Sequence, residues 1–180
     1  MKGREILIGV TGGIAAYKTA ALVSRLVQAG AGVQVVMTRA ATQLVGPRTF
    51  QALTGRPVRL EVFGHGAHPH IELAQAADVL CVAPATANLL AKAACGLADD
   101  LLSTVLLSFD GPMILAPAMN SEMWKKPPVQ RNLCQLRDDG FIIADPEEGY
   151  LSCGMQGAGR MASPEVLFDL IATQLERRLV

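Results

Sequence analysis

Chemistry needs side chains that can move protons or bind a ligand, placed where the fold exposes them. Three histidines, His65, His68 and His70, fall within Phe63-Gly-His-Gly-Ala-His-Pro-His70. That density invites a metal site, because imidazole is a common ligand. The loop has no cysteine, and its nearest carboxylates are Glu61 and Glu72, so no metal is expected there. Of the four cysteines, Cys81 lies in an apolar run and reads as a small core hydrophobe, while Cys95 and Cys134 fall on predicted helices. Cys153 differs. It stands between Ser152 and Gly154 in a glycine-rich stretch, where a loop thiol can reach a substrate. Asn120 ends Pro117-Ala-Met-Asn120, directly after an apolar run, and offers two donors and one acceptor. A turn or helix N-cap is an equally natural place for an Asn, so both readings stand.

A second kind of chemistry belongs to the backbone. The run Glu5-Ile-Leu-Ile-Gly-Val10 leads through Thr11-Gly12-Gly13 into a helix predicted over Ile14 to Gln28, with Leu22, Val23, Leu26 and Val27 on its apolar face and Gly30 closing it. Small residues at such a turn let N–H groups approach a phosphate at a helix N-terminus. A P-loop is excluded, because Tyr17 occupies the place of its second glycine before Lys18-Thr19. The dinucleotide GxGxxG is absent, and the second strand, Val33 to Met37, ends in Thr38-Arg39 rather than an acidic residue. A mononucleotide fits better; a tight turn without a ligand also fits.

The positioning elements follow in order. A helix broken at Gly46-Pro47 is expected over residues 40–55, a short strand over Pro57 to Leu60, and a strand over Ala77 to Ala83. Pro84-Ala-Thr86-Ala87-Asn88 then leaves the strand end for an alanine-rich helix, and a further helix spans Gly96 to Ser108. Met113 to Ala116, between Gly111-Pro112 and Pro117, reads as a buried parallel strand. A helix over Pro127 to Gly140, a strand over Phe141 to Ala144, an irregular loop over Asp145 to Met161 and an amphipathic helix from Pro164 complete the chain. Alternating strands and helices predict one doubly wound α/β domain, residues 1–180, with a parallel sheet.

Composition narrows the function class. Charged residues make up 18% of 180, and 16 basic side chains cancel 16 acidic ones, so neither a nucleic acid nor an anionic membrane is an expected partner. Hydrophobic content of 51% and a mean hydropathy of +0.31 suggest apolar surface covered by another subunit. No apolar run reaches the roughly 18 residues of a membrane span, and no signal peptide precedes the first strand. The cysteines show neither CxxC spacing nor disulfide density, which suits a reducing cytoplasm.

Four stretches carry a resemblance: His70-Ile-Glu-Leu73, Ala83-Pro-Ala-Thr-Ala-Asn88, Pro117-Ala-Met-Asn120 with Met123-Trp124, and Ser152-Cys-Gly-Met-Gln-Gly-Ala-Gly-Arg-Met161. They stand in the order of four motifs of the flavin-containing cysteine decarboxylases, which the chain resembles from about Glu5 to Met161. The resemblance implies a Rossmann-like (flavodoxin-like) fold holding FMN, and homotrimers, or multiples of them, with active sites between subunits. It is nearest to the members acting on 4′-phosphopantothenoylcysteine in coenzyme A synthesis. It implies catalytic roles for His70 and Cys153, substrate contacts at Met119, Asn120, Ser152 and Gly154, and FMN contacts at Gly12, Gly13, Ile14, Thr38, Thr86, Ala87, Asn88 and Ala118. Where the family often has Ser-Ala-Asn-Thr this chain has Thr86-Ala-Asn-Leu89, one hydroxyl fewer.

The implied chemistry explains the cofactor. A plain carboxylate has no electron sink for the carbanion left when CO2 departs. Oxidising the cysteine side chain to a thioaldehyde puts the carboxylate β to C=S, and loss of CO2 then gives an enethiolate. His70 would act as general acid–base, Asn120 would hold the carboxylate, and Cys153 would donate a proton as the enethiol is reduced to 4′-phosphopantetheine. Oxidative peptidyl-cysteine decarboxylases stop at the enethiol and generally lack the Cys-containing loop. Non-catalytic flavoprotein regulators tend to carry long acidic tails, and flavin prenyltransferases share the fold without Pro-Ala-Met-Asn. In many bacteria the decarboxylase is fused to the preceding ligase, for which 180 residues leave no room.

Overall fold

The structure is a computed structural model that describes residues 1–63, 68–150 and 156–177. Five parallel strands form its sheet: β1 (Glu5–Val10), β2 (Gly32–Met37), β3 (Val79–Ala85), β4 (Met113–Pro117) and β5 (Ile142–Ile143). Their order is β2-β1-β3-β4-β5. Strand order reverses between β1 and β3, and in open α/β sheets a crevice opens at the carboxyl ends of the strands at such a point.

Parallel strands covered on both faces read as continuous apolar runs, because both alternating sets of side chains are buried. In β1, Ile6, Ile8 and Val10 join one core cluster while Leu7 joins the other. The first cluster packs α1 (Ala16–Gln28), through Leu22, Val23 and Leu26, and α8 (Pro164–Arg177), through Leu167, Ile171 and Leu175. Against the second lie α3 (Pro69–Ala76), α4 (Ala87–Cys95), α5 (Leu101–Ser108) and α7 (Pro127–Asp138), through Leu73, Leu89, Leu102 and Leu133. Each such side chain, fully buried, contributes roughly 1.5–3 kcal/mol. At Gly9 a Cβ would stand 2.6 Å from Leu102 Cδ1, so α5 lies closer to β1 than a side chain there would permit.

Several expected boundaries shift. The first helix begins at Ala16 rather than Ile14, because residues 13–15 form a turn in which Gly13 N donates to Thr11 O (2.8 Å) and Ala16 N to Gly13 O (2.9 Å). The region 40–55 splits, as expected, into a 3-10 turn (Ala41–Gln43) and α2 (Pro47–Thr54). The strand expected over 57–60 reduces to a single bridge, Arg59 with Val36 at the sheet edge. β3 runs on through Pro84, across a cis Ala83–Pro84 bond, to Ala85. The helix expected from Gly96 starts at Leu101, because Gly96 caps α4 in the left-handed conformation (φ 67°) and Asp100 caps α5 in a reciprocal box with Ser103.

The largest departure lies in residues 145–161. Within the irregular stretch expected there, β6 (Glu147–Tyr150) and β7 (Gln156–Arg160) pair antiparallel as the two arms of a hairpin. Glycine-poor patterning normally marks a strand, yet here Gly157 and Gly159 are required by what lies beneath. A Cβ on Gly157 would come 2.7 Å from Ser121 Oγ, and one on Gly159 (φ 127°) would run into the Met119 carbonyl oxygen. The hairpin therefore sits directly on the chain leaving β4, where Met119 N donates to Gly159 O (3.0 Å).

Candidate functional site

The carboxyl ends of β1, β3 and β4 and the hairpin enclose a cavity of about 520 Å³. Ligand clefts commonly fall in the range of roughly 300–1,000 Å³. Gly12, Gly13 and Ile14 after β1, Thr86 and Ala87 after β3, and Ala118, Met119 and Asn120 after β4 all line it, as the sequence places them. Thr38, Asn88 and His70 are absent from this wall. Thr38 follows β2, where its backbone N donates to Val10 O (3.0 Å) and its hydroxyl accepts from Ala41 N (3.3 Å). Asn88 is exposed in the first turn of α4. Leu89, at the place of the missing hydroxyl, is buried in the core.

Thr11 holds two of these walls together. Its hydroxyl donates to Pro84 O (2.6 Å) and accepts from Thr86 N (3.1 Å), and one turn into α1 Thr19 donates to Ala83 O (2.6 Å). Both hydroxyls are buried, so the exits of β1 and β3 are fixed by satisfied polar contacts. Thr86 also caps α4, its side chain accepting from Leu89 N. Sequence reading missed this clamp, since a threonine after a strand carries no motif of its own.

On the third wall Asn120 is the N-cap of α6 (Ser121–Trp124), its Oδ1 accepting from Glu122 N (2.9 Å) and Met123 N (3.0 Å). The two readings of this residue are thus compatible. With the oxygen committed to the backbone, the amide offers its NH2 donors, which suits an anionic oxygen.

His70 lies inside α3 rather than ahead of it; His68 takes the N-cap position and makes no side-chain capping bond. The His70 Nδ1 is buried without a hydrogen-bond partner among the described residues. Such a nitrogen costs about 1–3 kcal/mol unless something satisfies it. The rings of His68 and His70 stand edge-on, centroids 6.3 Å apart. Among the described residues no three of His, Cys, Asp and Glu gather at metal-binding range, and His65 lies outside them. Ser152, Cys153 and Gly154 also lie outside the described residues; β6 and β7 flank them. Cys81 is fully buried, and burial pushes its thiol up to about 12, which removes it as a nucleophile near neutral pH.

The remaining wall residues, Ala15, Tyr17, Lys18, Met123, Gly159, Arg160 and Met161, were given no site role by the sequence, although Met123 and residues 159–161 fall within the motifs that carry the resemblance. Burial lowers the pKa of Lys18, the Arg160 charge lowers it further, and Glu147 opposes them. The cavity wall holds these two cations and no carboxylate. An anionic mononucleotide fits what is present. At Gly12 a Cβ would stand 2.5 Å from Ala40 Cβ, so glycine keeps the turn tight at the head of a 13-residue helix.

Comparison with known proteins gives a consistent picture. The family model described as Flavoprotein matches residues 1–176. The coenzyme A biosynthesis bifunctional protein CoaBC of Bacillus subtilis (strain 168) is 47% identical over 173 residues, covering 94% of this chain and 43% of its own length. Its counterpart from Mycobacterium tuberculosis (strain ATCC 25618 / H37Rv) is 45% identical over 175 residues, 97% of this chain and 42% of its own. The chain thus spans less than half the length of these curated relatives. Among solved structures, the FMN-dependent cysteine decarboxylase SpaF superposes with a TM-score of 0.87 at 36% identity, covering 99% of this chain and 98% of SpaF. A cysteine-to-serine mutant of PPC decarboxylase complexed with pantothenoylaminoethenethiol superposes with a TM-score of 0.86 at 30% identity, covering 98% and 100%.

Proposed function

We propose that this chain, which belongs to the flavoprotein family, binds FMN and decarboxylates 4′-phosphopantothenoylcysteine to 4′-phosphopantetheine in coenzyme A synthesis. One observation carries the reading. Asn120, with its amide NH2 free of the cap, shares a cavity with the glycine turn of β1 and the Thr86-Ala87 exit of β3. That juxtaposes a carboxylate-binding group with a mononucleotide cradle at the switch point of a parallel sheet.

FMN, when bound, supplies the two-electron acceptor and donor that the cysteine side chain lacks. Gly12, Gly13, Ile14, Thr86, Ala87 and Ala118 shape its berth, while Thr38 follows the neighbouring strand β2 and Asn88 stands in the first turn of α4. Asn120 holds the substrate carboxylate, with Met119 against the substrate. His70 moves the proton at the reacting centre, a role worth roughly 10²–10⁴ in rate. Its unpartnered Nδ1 supports a role in binding something outside the described residues. Cys153, with Ser152 and Gly154 around it, donates the closing proton.

Because His70 is absent from the wall formed within one chain, the site is completed by a second copy in a homotrimer. Exposed Ile14, Tyr17 and Met123 at the cavity support that arrangement, since they present apolar surface there. Residues 1–180 act as one decarboxylase unit in a reducing cytoplasm, in keeping with the free cysteines 81, 95 and 134. Among the described residues no helix is long and apolar enough to cross a membrane.

A second reading, an oxidative peptidyl-cysteine decarboxylase, draws on the likeness to the FMN-dependent cysteine decarboxylase SpaF, whose 36% identity lies above the 30% of the PPC decarboxylase structure and below the 47% of CoaBC. Incubation with phosphopantothenoylcysteine and mass analysis of the product separates the two. Loss of CO2 alone supports the proposed enzyme and loss of CO2 and two hydrogens an oxidative one; an unchanged substrate refutes the proposed function, and a cysteine-ended peptide then tests the second reading.

A further inference from the structure

The cavity is electrostatically one-sided in a chain whose charges cancel. Lys18, in the first turn of α1, and Arg160, at the end of β7, line it, and no Asp or Glu does. Neither forms an ion pair among the described residues, whereas Arg4, Arg25, Arg56, Lys92 and Arg137 all do. The carboxylate that Lys18 does feel, Glu147, is turned to another task, with its Oε1 accepting from Ser163 N (2.8 Å). Two unpaired like charges near one another are unfavourable until an anion bridges them.

Both line the cavity that the glycine turn also lines. Lys18 follows Ile14 and Tyr17, which are 57% and 62% exposed, so this part of the wall faces the solvent side of the cavity. Arg160 is exposed and adjoins Gly159, which is bonded to Met119 beside Asn120. Arg160 therefore stands on the side of the residues assigned to the substrate, and Lys18, which feels its charge, lines the same cavity one turn beyond Ile14.

Building on the proposed function, we propose that Lys18 and Arg160 bind the phosphate monoester of the substrate and select phosphorylated over unphosphorylated cysteine conjugates. Charge-assisted bonds from the two cations correspond to a preference of roughly 10- to 100-fold. The flavin carries a phosphate monoester too, so the test keeps the two sources apart.

Binding of 4′-phosphopantothenate and of pantothenate, neither of which can be decarboxylated, is measured by calorimetry on FMN-loaded protein, with FMN content determined in parallel. The parent is expected to prefer the phosphorylated ligand at least ~10-fold. Lys18→Gln and Arg160→Gln should each collapse that ratio with FMN still bound, and Lys18→Arg should restore most of it. No preference in the parent overturns the proposal, as does a ratio that survives both substitutions. Loss of FMN with the ratio kept also overturns it and moves the pair to the flavin phosphate. A parent that shows the preference, yet leaves phosphopantothenoylcysteine unchanged, refutes the proposed reaction and leaves the anion pair standing.

Discussion

Thr11→Val tests whether the hydroxyl clamp, rather than the glycine turn alone, sets the distance between the exits of β1 and β3. Valine keeps the shape of threonine and loses both bonds, the one donated to Pro84 O (2.6 Å) and the one accepted from Thr86 N (3.1 Å). Each neutral bond nets about 0.5–1.5 kcal/mol, which gives about 2 kcal/mol for the pair. Thr86 is only half-buried, so water can satisfy its freed N–H, whereas the carbonyl of buried Pro84 loses its donor, which makes about 2 kcal/mol the smallest loss expected. For a chain of this size a loss of about 2 kcal/mol lowers Tm by roughly 4–8 °C. The clamp lies behind the cofactor wall, so FMN affinity should fall as well, whereas Thr11→Ser keeps both bonds and should behave like the parent. Denaturant unfolding of flavin-free protein and flavin titration read the two effects. A stability loss below ~0.5 kcal/mol with FMN affinity unchanged refutes the reasoning, since a surface substitution does as little.

Three further substitutions test assigned roles. Asn120→Asp keeps an oxygen for the Glu122 and Met123 N–H groups, so stability should stay within about 0.5 kcal/mol; it removes the NH2 donor, so decarboxylation should fall at least ~100-fold, and a variant with parental turnover returns Asn120 to capping alone. His70→Asn should retain FMN and lose turnover by roughly 10²-fold or more, and preserved activity in stopped assays would remove its acid–base role. Cys153→Ser should still permit CO2 loss and accumulate a product two hydrogens lighter than 4′-phosphopantetheine, because a hydroxyl is far less acidic than a thiol; normal product in the mass spectrum would deprive Cys153 of its proton-donor role.

Much of the fold was legible because parallel strands announce themselves as apolar runs. Glu5–Val10 and Met113–Pro117 are such runs, and each ends in a residue pattern that faces the cavity. Prolines misled at Pro84, where a strand continued through a residue that usually ends one. The hairpin was hidden for a different reason: Gly157 and Gly159 are set by close approach to Ser121 and Met119, a tertiary demand that local propensity opposes. In the site, the glycine turn could be read from its place after a strand end, and Asn120 there as either a ligand or a cap, while the role of Thr86-Ala87 came with the resemblance. Lys18 could not, since its only sequence context was a failed P-loop; it acquires meaning when β7 brings Arg160 to the same cavity.

The strand order has a kinetic side. β1 pairs with β2 across 27 residues, Glu5 with Gly32, but with β3 across 73, Ile6 with Val79. Closing the longer loop costs about 0.9 kcal/mol more in chain entropy than closing the shorter. The β1-α1-β2 unit, with its glycine turn, is therefore the cheaper piece to assemble, and local contacts form first in most small domains. Thr86 and Asn120 come with the distant pairings, so completing the flavin berth costs more chain entropy than forming its first wall. A chain paired only through its first two strands presents the glycine turn without the β3 and β4 exits that complete the cavity, so a whole flavin berth reports the native topology.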